Sequence, residues 1–197
     1  MLQTLLLFTA AYLMGSIPFG VLISKKEDVA ITEHGSGNIG ATNVFRTVGK
    51  KAGLLTLLGD FFKGLLPVLI AFFLTKSVII TGIAGVLTVF GHMFSLFLKF
   101  KGGKGVATSL GVFIGMMPYA ALSAIAVWLI LCYVTRYVSF ASMVASLSVP
   151  LFAGLFDAPK FYIIASALIA AFIVFKHKDN LKKLLAGEES KFSWSKK

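Results

Sequence analysis

Residues 52–75 read AGLLTLLGDFFKGLLPVLIAFFLT, and this stretch decides the fold class. The run is almost entirely apolar, and about 20 apolar residues are enough to span a bilayer's hydrocarbon core as an α-helix. Asp60 and Lys63 interrupt it three positions apart, so that in a helix they share one face. Such an intramembrane pair is either functional or a self-neutralising ion pair, and the sequence leaves both interpretations open.

Six further apolar runs flank this stretch, at residues 2–24, 77–98, 105–117, 119–135, 139–155 and 161–175. The chain is 57% hydrophobic and 14% charged, whereas soluble domains are about 45–50% apolar and about 25% charged. The run at residues 105–117, the fourth in chain order, is short, because a helix of this length extends only about 20 Å. The sequence predicts an all-α, polytopic membrane protein of seven transmembrane helices, forming a single domain over residues 1–197.

The basic residues indicate the orientation of the predicted spans. With seven crossings and the N-terminus outside, sixteen of the 19 Lys and Arg residues lie on the cytoplasmic side, as the positive-inside rule requires. A re-entrant fourth segment would place Arg136 and the tail lysines outside, so the charges favour seven crossings and a cytoplasmic C-terminus. Membrane topology therefore explains the net charge of +11, and we expect no nucleic-acid partner and no obligate protein partner.

The first long polar segment contains EHGSGNIGATNVFR at residues 33–46. Glycines at 35, 37 and 40 permit positive φ and let main-chain N–H groups approach an anion closely. A helix beginning at Ala41 would direct its first amides toward the same anion. The motif is neither a Walker loop nor a dinucleotide fingerprint. It indicates a phosphate site, and the alternative is a turn that only lets helices approach.

A second glycine-rich loop, KFKGGKGVATS at residues 99–109, is predicted on the same side of the membrane. Lys99 and Lys101 fit the role of membrane-surface anchors. Lys104 differs, because it lies between two glycines at a loop-to-helix junction, where an ammonium and free N–H groups can converge on one phosphate. Two such loops on one face predict a site for two phosphate groups.

A third polar cluster, KHKDNLKKLL at residues 176–185, follows the last span. In a continuing helix His177 and Asn180 would share a face, and Lys182 and Lys183 suit an interfacial helix on anionic lipid. At the start of the sixth run, Ser139 is expected to cap the helix. Ser142, one turn further in, is a candidate phosphate donor.

Several familiar catalytic devices are absent from the sequence. The three histidines and one cysteine lack the spacing of a metal site; no serine-hydrolase elbow occurs, and no histidine is followed five positions later by aspartate. We therefore expect no metal or cofactor, and anion binding that serves transfer from an activated donor such as an acyl phosphate. The alternative is a transporter or flippase for a phosphorylated solute or lipid.

Taken together, the motifs resemble those of the bacterial membrane acyl-phosphate:glycerol-3-phosphate acyltransferases. The matching stretches are residues 15–20, 35–46, 92–105, 139–143 and 177–188. The resemblance implies acyl transfer from acyl phosphate to the 1-hydroxyl of glycerol 3-phosphate, giving 1-acylglycerol 3-phosphate and phosphate for phospholipid synthesis. It places the enzyme in the inner membrane with its active site facing the cytoplasm. One departure is Ser95, where the family usually has proline.

The resemblance also implies roles for individual residues. The implied ligands of glycerol 3-phosphate are Arg46, Lys104, Ser142 and His177. The implied acyl-phosphate loop consists of Ser36, Gly37, Asn38, Gly40, Thr42 and Asn43. The implied catalytic residues are Ser36, Lys104, His177 and Asn180. The proton of the attacking hydroxyl passes either to His177 as general base or to a substrate phosphate, and the lack of a His-Asp pair in the sequence favours the phosphate.

Overall fold

The computed structural model describes residues 1–192, which form helices and connecting loops with no strand. The α-helices are α1 (Leu2–Ser16), α2 (Phe19–Lys25), α3 (Ala41–Thr47), α4 (Lys50–Thr75), α5 (Val78–Met93), α6 (Val106–Met116), α7 (Pro118–Thr135), α8 (Val138–Leu155), α9 (Lys160–Lys176) and α10 (Lys178–Leu185). A 3₁₀ turn, Leu96–Leu98, follows α5. The all-α prediction is confirmed over the described residues.

Several of these helices are long and apolar enough to cross a bilayer. Within residues 1–192, four spans meet that condition: α4, α5 with its 3₁₀ turn, α7 and α8. The bent pairs α1–α2 and α9–α10 raise the number to six when each pair counts as one span. Helix α6 has only 11 residues and lies within the short apolar run at residues 105–117. Seven crossings and the outside N-terminus stay predictions.

The first apolar run is not one continuous helix. Helix α1 ends at Ser16 and α2 begins at Phe19, with a bend of 40° between them. Pro18 causes the break, because it has no N–H to donate and its ring restricts the preceding residue. Ile17 accordingly adopts an extended conformation, with φ −60° and ψ 118°. Its carbonyl accepts a hydrogen bond from Lys63 Nζ at 2.6 Å.

Helices α1–α6 belong to a first compact unit, Met1–Met116. Within it α1 packs on α5, and α4 packs on α5 and α6. A Cβ at Gly15 would collide with the backbone of Thr88, and one at Gly111 would collide with the carbonyl of Phe61. Small residues thus bring helix backbones together, as is common where helices pack in membranes.

The second compact unit begins at Met117 and contains α7–α10. Helix α8 packs against both α7 and α9. The chain bends by 57° between α9 and α10, so the continuing helix expected there is not straight. Beyond α10 the chain returns to the turn between α7 and α8, where Phe192 N donates to Arg136 O at 2.7 Å.

Candidate active site

The side chain of Asn43 organises the first glycine-rich loop from inside. Its Oδ1 accepts from the backbone N–H of Ser36 at 3.0 Å. Its Nδ2 donates to the carbonyls of Asn38, His34 and Ile31 at 2.9, 3.0 and 3.3 Å. Asn43 is only 4% exposed. The structure therefore gives this residue a loop-forming function, and its predicted contact with acyl phosphate stays a prediction.

Two glycines give this loop its path. Gly35 and Gly37 have φ of +62° and +69°, and a Cβ at Gly35 would collide with Asn43 Oδ1. Both glycines thus use the positive φ that their lack of a side chain permits. Gly40 differs, with φ −75° and ψ 159° as the N-cap of α3. Gly40 therefore does not use the conformational freedom that glycine permits, because the cap position has extended backbone.

Helix α3 begins at Ala41, as the sequence predicted, and sets the direction of Arg46. Val44 is fully buried in a small apolar cluster with Ile31, Ile39 and Ala52. This packing fixes one face of the helix. Arg46 lies in the last turn and is exposed. Of the other loop positions, Ser36 is exposed, and Gly37, Asn38, Gly40 and Thr42 are half-buried.

The second glycine-rich loop folds back onto the end of α5. Gly102 N donates to Met93 O at 3.2 Å, and Gly103 N donates to His92 O at 3.1 Å. Gly105 then takes φ +83°, and α6 follows directly. Lys104 is half-buried between these glycines, at the loop-to-helix junction that the sequence predicted.

The two loops contact each other within the first unit. A Cβ at Gly103 would lie 3.2 Å from Cγ1 of Ile39, which is itself buried in the first loop. This contact brings together the loop that precedes Arg46 and the loop that carries Lys104. The two loops are therefore neighbours on this unit, and the shared site for two phosphate groups stays a prediction.

A buried polar network lies beneath the second loop. Asp60 Oδ1 and Lys63 Nζ form an ion pair at 2.7 Å. His92 Nδ1 lies 3.6 Å from the same carboxylate oxygen and makes a 3.1 Å hydrogen-bond contact with Thr108 Oγ1. The sequence contained no short-spaced histidine-aspartate motif, yet folding pairs His92 of α5 with Asp60 of α4. Sequence reasoning missed this contact because the two residues are far apart along the chain.

In the second unit, His177 lies at the bend between α9 and α10. The side chain is buried, and Nδ1 is 2.8 Å from the carbonyl of Ile173. Since a carbonyl only accepts, Nδ1 carries the proton in this hydrogen bond, and Nε2 is the nitrogen that can accept a proton. The structure thus orients the imidazole in a way the sequence did not reveal.

Glu189 links a residue of α8 to a residue of α10. Its Oε1 accepts from Asn180 Nδ2 at 2.8 Å and from Ser139 Oγ. Ser139 therefore does not act as a helix cap, because its hydroxyl is directed to the carboxylate. Sequence reasoning missed Glu189, although it lies immediately beyond the matched motif at residues 177–188.

The hydroxyl of Ser142 is buried between its own helix and α7. Ser142 Oγ donates to Val138 O at 2.7 Å and accepts from Trp128 Nε1 at 3.1 Å. The indole sets the position of this hydroxyl, and nothing in the sequence pattern indicated that contact. Its function as a phosphate ligand stays a prediction.

Ser95 occupies the position where the expected family has proline. It begins the 3₁₀ turn directly after α5, with φ −63° and ψ 124°. Its hydroxyl donates to Ser16 O at 2.6 Å. The helix end keeps a backbone that proline can adopt, and the serine adds a hydrogen bond to α1.

The apolar helices and the two contacting loops define the chain as a multi-pass integral membrane protein with two glycine-rich loops. Residues 5–187 match the family model described as glycerol-3-phosphate acyltransferase. The chain belongs to the glycerol-3-phosphate acyltransferase family, and the resemblance found in the sequence is confirmed at this level.

Similar proteins match over nearly their whole length. The glycerol-3-phosphate acyltransferase of Trichlorobacter lovleyi is 50% identical, with 92% of this chain and 94% of the relative covered. That of Geotalea daltonii is 46% identical, with coverage of 98% and 99%. The crystal structure of PlsY (YgiH), an integral membrane glycerol 3-phosphate acyltransferase, in its glycerol 3-phosphate form has a TM-score of 0.93 at 42% identity. The match covers 97% of this chain and 96% of the chain in that crystal structure.

Proposed function

We propose that this protein transfers an acyl group from acyl phosphate to the 1-hydroxyl of glycerol 3-phosphate. The products are 1-acylglycerol 3-phosphate and inorganic phosphate, which serve phospholipid synthesis at the cytoplasmic face of an inner membrane. Family membership supports the acceptor and the reaction class. The observation that carries the proposal for the site is the contact between Ile39 and Gly103, which joins the glycine-rich loop before Arg46 to the glycine-rich loop that carries Lys104.

The reaction needs little covalent chemistry from the protein. The 1-hydroxyl oxygen attacks the acyl carbonyl carbon, the bond from that carbon to the phosphate oxygen breaks, and phosphate leaves. Negative charge develops on the carbonyl oxygen and on the leaving group, so cations and N–H donors held in place lower the barrier. We assign acyl-phosphate binding to the first loop, through Ser36, Gly37, Asn38, Gly40, Thr42 and Asn43.

The acceptor phosphate needs cations of its own. We assign Arg46 and Lys104 to glycerol 3-phosphate: Arg46 offers a planar pair of donors and Lys104 a compact charge. Ser142 and His177 are assigned as further ligands on the family resemblance. Ser36, Lys104, His177 and Asn180 are the proposed catalytic residues.

The hydroxyl proton has two candidate acceptors, His177 and a substrate phosphate. Nδ1 of His177 donates to a neutral backbone carbonyl, which stabilises an imidazolium less than a carboxylate would. His92 lies near a carboxylate, but Lys63 already neutralises Asp60. We therefore favour a substrate phosphate as the acceptor, with the protein supplying orientation and charge.

The test compares lysine variants of the second loop in purified, reconstituted protein. Lys104→Ala should remove most release of phosphate and lysophosphatidate, and Arg46→Ala should do the same. Lys101→Ala removes an exposed lysine of the same loop and should keep nearly full activity. Equal activity of Lys104→Ala and Lys101→Ala would reject the proposed site. Flux of a phosphorylated solute or lipid without covalent product would instead support a transporter.

A further inference from the structure

The imidazole of His92 lies between the helix core of the first unit and the loop that carries Lys104. The side chain is 4% exposed and stands in the last turn of α5. On one side Nδ1 contacts Thr108 Oγ1 at 3.1 Å and lies 3.6 Å from Asp60 Oδ1. On the other side Nε2 faces Gly103 so closely that a Cβ there would collide with it. The ring thus fills the space between α4, α6 and the loop.

The backbone of His92 holds the same loop. Its carbonyl accepts from Gly103 N at 3.1 Å, so backbone and ring both contact the residue that precedes Lys104. Position 103 does not need glycine for its dihedral angle, because its φ lies outside the left-handed region. Glycine is required there by the space that the imidazole occupies.

The carboxylate beside His92 is itself held in place. Asp60 pairs with Lys63 at 2.7 Å, and Lys63 Nζ also donates to Ile17 O at 2.6 Å. A series of polar contacts therefore runs from the break between α1 and α2, through α4, to the imidazole. These contacts lie beneath the second glycine-rich loop, whose proposed function depends on the position of the Lys104 ammonium group.

We propose that His92 is a positioning residue, which sets the place of Lys104 through Gly103 and is itself oriented by Thr108 and Asp60. The inference rests on the proposed function of Lys104 as a ligand of glycerol 3-phosphate. A displacement of about 1 Å in a binding group can cost about 100-fold in rate. A ring in contact with the loop on one side and two helices on the other limits such displacement.

The first test asks whether ring and loop are coupled. Gly103→Ala should lower kcat/KM for glycerol 3-phosphate by about 100-fold, since the new Cβ displaces the loop. His92→Asn keeps a polar group near Thr108 but leaves the space at Nε2 empty. In the double variant, kcat/KM should therefore be at least about 10-fold higher than in Gly103→Ala alone. Additive losses in the double variant would overturn the proposal.

The second test separates positioning from a purely structural function. Thr108→Val removes only the hydroxyl at Nδ1 and should raise KM for glycerol 3-phosphate about 5- to 10-fold, with little change in thermal unfolding. Thr88→Val is the matched control, because that buried hydroxyl bonds only the Ala84 carbonyl of its own helix at 2.8 Å. It should leave KM unchanged. An unchanged KM in Thr108→Val would overturn the proposal even if His92→Asn does not fold.

These tests distinguish failure of the inference from failure of the proposed function. If the unmodified protein transfers no acyl group to glycerol 3-phosphate, the proposed function is wrong. The inference that His92 positions Lys104 for this substrate is then wrong as well. If the unmodified protein is active and KM is insensitive to Thr108→Val, only the positioning inference is wrong.

Discussion

Ile39 and Gly103 lie against each other, close enough that a Cβ at position 103 would be 3.2 Å from Cγ1 of the isoleucine. The two residues come from loops that are separated in sequence by two long helices, α4 and α5. Their contact explains why two motifs of similar chemistry can serve one reaction. It also means that a change in either loop is expected to affect the other.

Asn43 should be more sensitive to substitution than an ordinary loop residue. Asn43→Ala removes one amide oxygen and two amide hydrogens, which together contact four backbone groups; a hydrogen bond contributes about 0.5–1.5 kcal/mol. We expect loss of most activity and a lower midpoint of thermal unfolding in detergent. Thr47→Val is the control, since it removes one bond to the carbonyl of Asn43. Full activity in Asn43→Ala would contradict the loop-forming function.

The Asp60–Lys63 pair should behave as a buried ion pair. Removing one partner leaves an uncompensated charge, which typically costs about 3–5 kcal/mol. Asp60→Leu and Lys63→Met should each lower thermal stability strongly. The double variant should recover only part of the loss, because the Ile17 carbonyl still lacks its donor. Single variants as stable as the unmodified protein would contradict the structural account of this pair.

Ser95→Pro should be tolerated. Proline's φ is about −65°, Ser95 has φ −63°, and Phe94 before it has already left the α region, with ψ 60°. The lost hydrogen bond to Ser16 costs about 0.5–1.5 kcal/mol, and reduced freedom of the unfolded chain returns about 0.4–1 kcal/mol. Ser95→Ala loses the same hydrogen bond but does not reduce the freedom of the unfolded chain. It should therefore unfold at a lower temperature than Ser95→Pro. The opposite order would show that proline does not fit here.

Glu189 should matter for the second unit. Glu189→Ala removes the acceptor of Asn180 and Ser139, and hydrogen bonds to a charged group contribute about 1.5–3 kcal/mol each. We expect lower stability and lower activity, measured by thermal unfolding and by product release. Glu188→Ala is the matched control, because that neighbouring side chain is exposed. Equal stability and activity of the two variants would contradict the stabilising function of the Glu189 hydrogen bonds to Asn180 and Ser139.

The sequence predicted the helices and loops better than the contacts between them. Apolar runs and glycine positions located α4, α7, α8 and the start of α3, because hydrophobicity and backbone freedom are local properties. The break at Pro18 also had a local signal, the missing N–H of proline. The contacts of His92 with Asp60 and of Glu189 with Asn180 had none, since folding alone brings those residues together.

The proposed activity is acyl transfer from acyl phosphate to glycerol 3-phosphate. The most direct measurement follows orthophosphate and lysophosphatidate released by purified, reconstituted protein given either acyl phosphate or acyl-CoA. With acyl phosphate, we expect equal amounts of both products, dependent on glycerol 3-phosphate, and with acyl-CoA we expect no product. Phosphate release that glycerol 3-phosphate does not stimulate, or equal transfer from acyl-CoA, would contradict the proposed activity.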